Sequence, residues 1–295
     1  MFYLKARIYI VMPFNMQDNY RLQGFVSKAN TNIGLSPVEG LGTTLLTYID
    51  THCHYHPSYE FSAFFKHVAT NIQKHAVGSK SVSAICLLEM EGTDWFLSLE
   101  DSDSVDECVI ETINPQTLKI IVDDHELYVF CARQVNTLEK IEVVVVGCRE
   151  PIPSGLPLDQ YIDKYAEDYL VILPWGVGKW LGNRGKLISE LINNDSAFIL
   201  GDNGGRPKIW SKVPQFDQAN EQDLPILAGS DPLPVSSFSN RAASYGCIFQ
   251  GEFTDCNEWI KAVKQMDSYK EPYGELSSIY QFLADQLGLR LKKFF

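Results

Sequence analysis

No stretch of this sequence approaches the ~18 to 20 consecutive apolar residues of a membrane-spanning helix. The amino-terminal MFYLKARIYIVMPF carries two basic residues and a short apolar run without a small-residue cleavage pattern, so no membrane partner is expected. Basic residues are in the minority: 25 Lys and Arg against 37 Asp and Glu leave a net charge of −12. That field repels phosphate backbones, so the expected partner is a small anionic molecule and not nucleic acid. Oligomeric state is left open. The seven cysteines (53, 86, 108, 131, 148, 247 and 256) are odd in number and never spaced Cys-x-x-Cys, which excludes a disulfide framework. Several fall in apolar runs, as buried thiols do, and a reducing, cytoplasmic location is expected. Histidine is scarce too, with all six copies at or before residue 125.

What is present is the composition of a folded globule, 45% apolar and 21% charged, in a chain long enough to bury a large core. Residues 1–45 show a strand-like RIYIVMP and a turn-rich NIGLSPVEGLGTT without a helix, and are read as an extension packed on the following domain. From there the pattern is regular. LLTYIDTH (45 to 52), a helical stripe of Phe61, Phe64, Phe65, Val68 and Ile72, and SVSAICLLEM (81 to 90) form a βαβ unit. Residues 116 to 135 read as two strands around Asp123-Asp124, a β-hairpin inserted at about 113–136. Strands at 141 to 147, 169 to 174, 197 to 201, 224 to 229 and 244 to 250 alternate with amphipathic helices. Runs apolar on both faces are what a helix-covered parallel sheet requires. Residues 46–295 are therefore expected to form one α/β domain, a TIM-like (β/α) barrel of seven strands with an inserted hairpin.

In such a barrel chemistry sits where strands end. The ends here carry Asp50, His52 and His54; Glu89 and Glu91; Arg149 and Glu150; Trp175 and Lys179; Asp202, Asn203 and Arg206; Ser230 and Asp231. The sharpest signal is Asp50-Thr-His52-Cys-His54-Tyr-His56-Pro57. A period of two aims His52 and His54 to one face about 6 to 7 Å apart, within reach of a single ion, with Cys53 facing away. His56, before Pro57, falls past the strand. His67 and His125 have ordinary readings on a helix face and beside a turn.

The string of apolar strand, Asp-x-His-x-His and Pro resembles the first motif of the amidohydrolase and PHP (polymerase and histidinol phosphatase) superfamilies, metal-dependent hydrolases on TIM-like barrels. Gly229-Ser230-Asp231-Pro232 after an apolar strand resembles their strand-ending Asp, and the likeness spans about residues 46 to 250. It implies that His52, His54 and Asp231 ligate a divalent metal and that Asp231 takes the proton from the attacking water. The family's later-strand histidines and bridging lysine have no counterparts, so the relative is atypical. Glu89 is a candidate fourth ligand, with Glu150 or Asp202 as further carboxylates; such donors suit Mn²⁺ or Mg²⁺, while the histidines suit Zn²⁺.

A second signal, residues 175 to 186, places Gly176, Gly178, Gly182 and Gly185 between a strand and a helix beside Lys179, Arg184 and Lys186. Such a loop can cradle an anion. It is neither a Walker A loop nor a GxGxxG fingerprint. Gly204-Gly205-Arg206 after Asp202 offers another guanidinium for phosphate or carboxylate. Trp175, Lys179, Arg184, Asp202 and Arg206 are the substrate-binding candidates. The acidic run 100 to 107 lacks the Gly and Glu of a calcium loop, and the absence of histidine after residue 125 removes a serine-hydrolase triad. The expected function is metal-dependent hydrolysis of a small phosphate- or carboxylate-bearing substrate. Two alternatives stand beside it: a non-catalytic barrel with a degenerate metal site acting as a scaffold, and a nucleotide-cofactor protein using residues 168–206.

Overall fold

A computed structural model describes residues 45–76, 80–194, 197–266 and 268–292. The amino-terminal extension and its contacts lie outside the described residues. The chain begins with the expected βαβ unit: strand β1 (Leu46–Cys53), helix α1 (Phe61–Gln73) and strand β2 (Ser81–Glu89), parallel to β1. Glu60 starts α1 by accepting from the main-chain N–H groups of Ser62 and Ala63, which satisfies donors a helix leaves open. Short helix α2 (Trp95–Glu100) precedes an antiparallel run of β3 (Ser104–Val105), β4 (Cys108–Asn114), β5 (Thr117–Val122) and β6 (His125–Asn136). Strand β7 (Glu142–Val146), α3 (Leu158–Tyr165), β8 (Leu170–Pro174), α4 (Asn183–Asn193), β9 (Ile199–Asn203), α5 (Pro214–Glu221) and β10 (Ile226–Gly229) follow. A 3-10 turn at Ser236–Arg241 leads to β11 (Tyr245–Gln250), α6 (Cys256–Lys264), β12 (Tyr269–Gly274) and α7 (Ile279–Lys292).

The sheet order is β10-β9-β8-β7-β6-β2-β1-β11-β12, with β3 to β5 branching from β6. It curls until β10 returns to β1, where Thr51 Oγ1 donates to the Ala228 carbonyl (3.0 Å) and the Asp231 N–H to the His52 carbonyl (2.8 Å). The result is a largely closed α/β barrel of nine strands, mixed parallel and antiparallel. Its interior is packed with Ile49, Ala84, Phe130, Val144, Ile172, Leu227 and Phe249, and Trp259 of α6 lies among them. The outward faces bury against helices: Tyr48, Ile85 and Val129 under α1, and Val145, Val171 and Leu173 under α3 to α5. This two-sided burial is why the strands read as continuous apolar runs.

Two expectations are corrected. The barrel is not a seven-stranded parallel one: β7 runs antiparallel to both β6 and β8, and β11 antiparallel to β1. Only residues 137 to 141 separate β6 from β7, too few for a crossover and enough for a return. The hairpin at Asp123-Asp124 is present, with φ of +46° and +64° as a two-residue primed turn requires. It is not an insertion, because its second arm, β6, is itself a barrel strand paired in parallel with β2.

Candidate metal centre

The seam between β1 and β10 is held by close approach and by one carboxylate. A Cβ at Gly229 would lie 2.3 Å from His52 Cβ and 2.5 Å from its N, so no larger residue permits this contact. Asp50, wholly buried, accepts from the N–H groups of His52 (2.9 Å), Ser230 (2.9 Å) and Ala243 (3.0 Å) and from the Ser230 hydroxyl. Burial raises its pKa, and those hydrogen bonds oppose the rise. Asp231 follows at φ +47°, a left-handed turn that reverses the chain at the mouth of the barrel.

The seam brings His52, His54 and Asp231 together. Asp231 Oδ1 lies 3.7 Å from His52 Nε2 and 3.9 Å from His54 Nε2, the imidazole centroids are 5.1 Å apart, and one ligand atom from each residue lies within 4.8 Å of the others. Two ligands ~2.1 Å from a common ion are separated by at most about 4.2 Å, so a small adjustment of one ring completes the fit. His54 Nδ1 is 3.2 Å from the Leu88 carbonyl, which can only accept. That contact orients the ring, as main-chain carbonyls do for histidine ligands, with Nε2 on the Asp231 side. Burial, with His54 and Lys179 nearby, lowers the His52 pKa to about 4 against the pull of Asp231, so its imidazole is neutral at pH 7. Burial pushes the Asp231 carboxyl up, but the two imidazoles, the Asn203 amide and Lys179 prevail and hold it below its usual range. Two imidazoles and a carboxylate, all at least half-buried, are a donor set that fits a divalent cation.

His54 and Asp231 open onto a cavity of about 470 Å³, lined also by His56, Gln134, Trp175, Lys179, Asn203 and Arg241, with His52 buried behind them. His56 Nε2 lies 2.9 Å from the Pro232 carbonyl, and its ring stacks on His54. Cys53 faces the other way, into the layer beneath α1.

The remaining candidates divide. Trp175 and Lys179 reach the cavity, Lys179 paired with Glu142. Glu89 does not join the triad: Oε1 accepts from the Phe96 N–H (2.7 Å) and Oε2 from the Thr93 hydroxyl (2.6 Å), capping the α2 turn beside a separate small cavity. Glu150 is exposed. Arg184 donates to the Gly178 carbonyl at 2.7 Å, closing its own loop. Asp202 and Arg206 hold each other through two hydrogen bonds (2.7 and 2.6 Å), with the Tyr245 hydroxyl also donating to Asp202. Asp202 is thus engaged chiefly within the barrel wall. A Cβ at Gly185 would meet the Trp180 carbonyl oxygen at 2.3 Å, so this glycine serves helix packing. Sequence reasoning missed Gln134, whose amide lies 3.1 Å from His54 Nε2, and placed Asn203 and Asp50 at strand ends without their roles: the Asn203 amide donates to Asp231 Oδ2, and Asp50 is the seam's acceptor. Asn203 pairs in register with Gly229, which carries it to Asp231. Only knowledge of that neighbour relation would have marked it.

No family model and no curated protein sequence matches the chain. Among solved structures, PsfC from Pseudomonas syringae PB-5123 superposes with a TM-score of 0.53 at 12% identity, covering 85% of this chain and 99% of its own. The lesion-specific endonuclease PfuEndoQ from Pyrococcus furiosus gives 0.50 at 13% identity, over 76% of this chain and 57% of that one. Endonuclease Q in complex with a 27-mer duplex bearing an abasic lesion at the active site gives 0.46 at 14% identity. At these identities the likeness is one of fold. That fold is shared with a lesion-specific endonuclease, and on it this chain carries a His-His-Asp group spaced as metal ligands are. The likeness also corrects one expectation. Net charge does not exclude nucleic acid as a partner, because a lesion-specific endonuclease shares this fold.

Proposed function

We propose that the chain is a divalent-metal-dependent hydrolase acting on a substrate that bears a phosphate or carboxylate group, phosphodiesters of nucleic acid included. The observation that carries this reading is the convergence of His52, His54 and Asp231, with His54 and Asp231 facing an open cavity. His52, His54 and Asp231 would hold the ion. With two nitrogen donors and one oxygen donor, and with Glu89 and Asp202 engaged elsewhere, the set favours zinc over magnesium. When bound, such an ion supplies Lewis acidity and makes water a nucleophile near neutral pH. Asp231 then serves as proton acceptor: it stays ionised, one oxygen faces the imidazoles, and the Asn203 amide fixes the other. Gln134 and the Leu88 carbonyl keep the His54 ring in place. Lys179, paired with Glu142, and Trp175 stand at the rim where a substrate enters.

Elemental analysis of purified protein, followed by assays on bis(p-nitrophenyl) phosphate, p-nitrophenyl phosphate and p-nitrophenyl acetate, tests the reading. About one divalent ion per chain and turnover lost in His52→Ala and Asp231→Ala are expected. Absence of a bound ion, with activity indifferent to both changes, removes it. A bound ion without turnover returns the chain to the non-catalytic reading.

A further inference from the structure

Among the described residues, the well-buried or cavity-facing guanidinium groups of Arg133, Arg206 and Arg241 are tied quite differently. Arg133 donates to the Thr93 and Arg149 carbonyls and to Asp94, and Arg206 to Asp202 and the Trp210 carbonyl; both are knitted into the barrel wall. Arg241, at the end of the 3-10 turn, instead faces the cavity of the triad with its side chain 23% exposed. It lies on the Phe238 ring, 4.1 Å from the centroid, which props it from the barrel side. Its acceptors are on α7. Nη1 and Nη2 grip Asp285 through both carboxylate oxygens (2.5 and 2.9 Å), and the Gln281 amide oxygen, in the orientation that satisfies both groups, accepts from Nη2 and Nε. Asp285 and Gln281 stand one helical turn apart on the same face.

Helix α7 forms one wall of that cavity through Gln281, Phe282, Asp285 and Gln286. Its root is pinned where Ser277 bonds to the Gly204 carbonyl and receives the Lys208 N–H. Beyond the root, Phe282 on Trp210 (5.5 Å) and the Arg241–Asp285 pair hold it down.

We propose that Arg241 is the anion-recognising residue of this cavity and that Asp285 occupies its fork in the resting state, as a carboxylate built into the chain. A guanidinium fork binds the paired oxygens of a carboxylate or a phosphoryl group in the same bidentate geometry. The ligand class is therefore an anion with two oxygens on one centre. Its arrival displaces Asp285 and lifts α7 about the Ser277 anchor, and the ligand comes to rest above His54 and Asp231. Placement of a scissile bond over the triad rests on the hydrolase reading; anion capture by Arg241 does not.

The test is calorimetric titration of inorganic phosphate, and separately of succinate, into chelator-treated full-length protein, with Trp210 fluorescence followed in parallel. Asp285→Asn, which removes the charge and one of the two acceptors from the fork and keeps its shape, is expected to bind about tenfold more tightly than wild type. Arg241→Gln is expected to abolish binding and Arg241→Lys, which keeps the charge and the fold, to weaken it severalfold. Phosphate above succinate assigns the phosphoryl class; the reverse order assigns carboxylates. Binding indifferent to both residues, or lost instead in Lys179→Gln, overturns the proposal. Because no metal is present, a protein that never binds an ion yet shows this dependence on Arg241 would sink the hydrolase reading alone.

Discussion

The β1–β10 seam and the glycine loop between β8 and α4 look alike in sequence: each follows an apolar strand and pairs glycine with charged or metal-binding side chains. In three dimensions they are opposites. At the seam, Gly229 brings two strands close enough for His52, His54 and Asp231 to converge on open space. In the loop, Arg184 closes on the Gly178 carbonyl, Lys179 pairs with Glu142, and Gly185 gives room to the Trp180 backbone. Polar groups left over after the fold has satisfied its own make a site; polar groups consumed internally make a turn.

Substitution at the triad separates the two regions most strongly. His52→Ala or Asp231→Ala is expected to lower metal affinity by more than about 100-fold, beyond the 10- to 100-fold typical of supporting residues, as read by titration with a competing chelator. The paired glycine changes come next. Gly229→Ala and Gly185→Ala each force a Cβ to within 2.3 Å of a neighbour, and each should cost about 1 to 3 kcal/mol in chemical denaturation. Only the first should also release the metal; equal metal loss in both would erase the contrast. Asp50→Asn cannot accept from all four of its donors, and should reduce metal affinity about 10-fold through misplacement of His52 and Asp231, while Ser230→Ala does so less.

A pH dependence distinguishes the seam further. The His52 pKa is lowered from 6.5 to about 4 in the folded chain, so between those values the unfolded chain takes the proton more readily. Stability of the chelated protein is therefore full above about pH 6.5 and lost as pH falls towards about 4. Asp231, lowered from 3.8, adds a further loss below that window. Thermal melts across this range should show the decline, and His52→Asn should flatten it. Smallest of all, Arg184→Ala should leave metal content and KM unchanged and alter stability by less than about 0.5 kcal/mol.

The sequence disclosed those parts of the molecule that depend on local period. Strands β1, β2, β8, β9 and β10 were legible because both faces are buried, and the metal pair because alternation along β1 is a local rule. Direction was not legible in the same way. Strand β7 reads as a parallel stave by its valines, and only the five-residue link before it tells that the chain doubles back. Strand β12, an edge strand with Pro272 and two glutamate or lysine side chains exposed, carries no apolar signature. Within the site, His52 and Asp231 are 179 positions apart and were joined by resemblance. Glu89 failed as a ligand because a strand-end carboxylate is equally suited to capping the next helix, and Asp202 because Arg206 lies one turn away to claim it. Asn203 and Gln134 are neutral amides whose roles exist only once β9 lies beside β10 and β6 beside β2.

All seven cysteines are buried, and burial pushes every thiol up, Cys108 to about 11 and Cys131 to about 12. Alkylating reagents attack thiolate, so the native chain is close to silent towards iodoacetamide or maleimide dyes. A single Leu283→Cys substitution, at a position 57% exposed on α7, would then carry the whole label, and a fluorophore or spin probe there could be installed without removing any native sulfur.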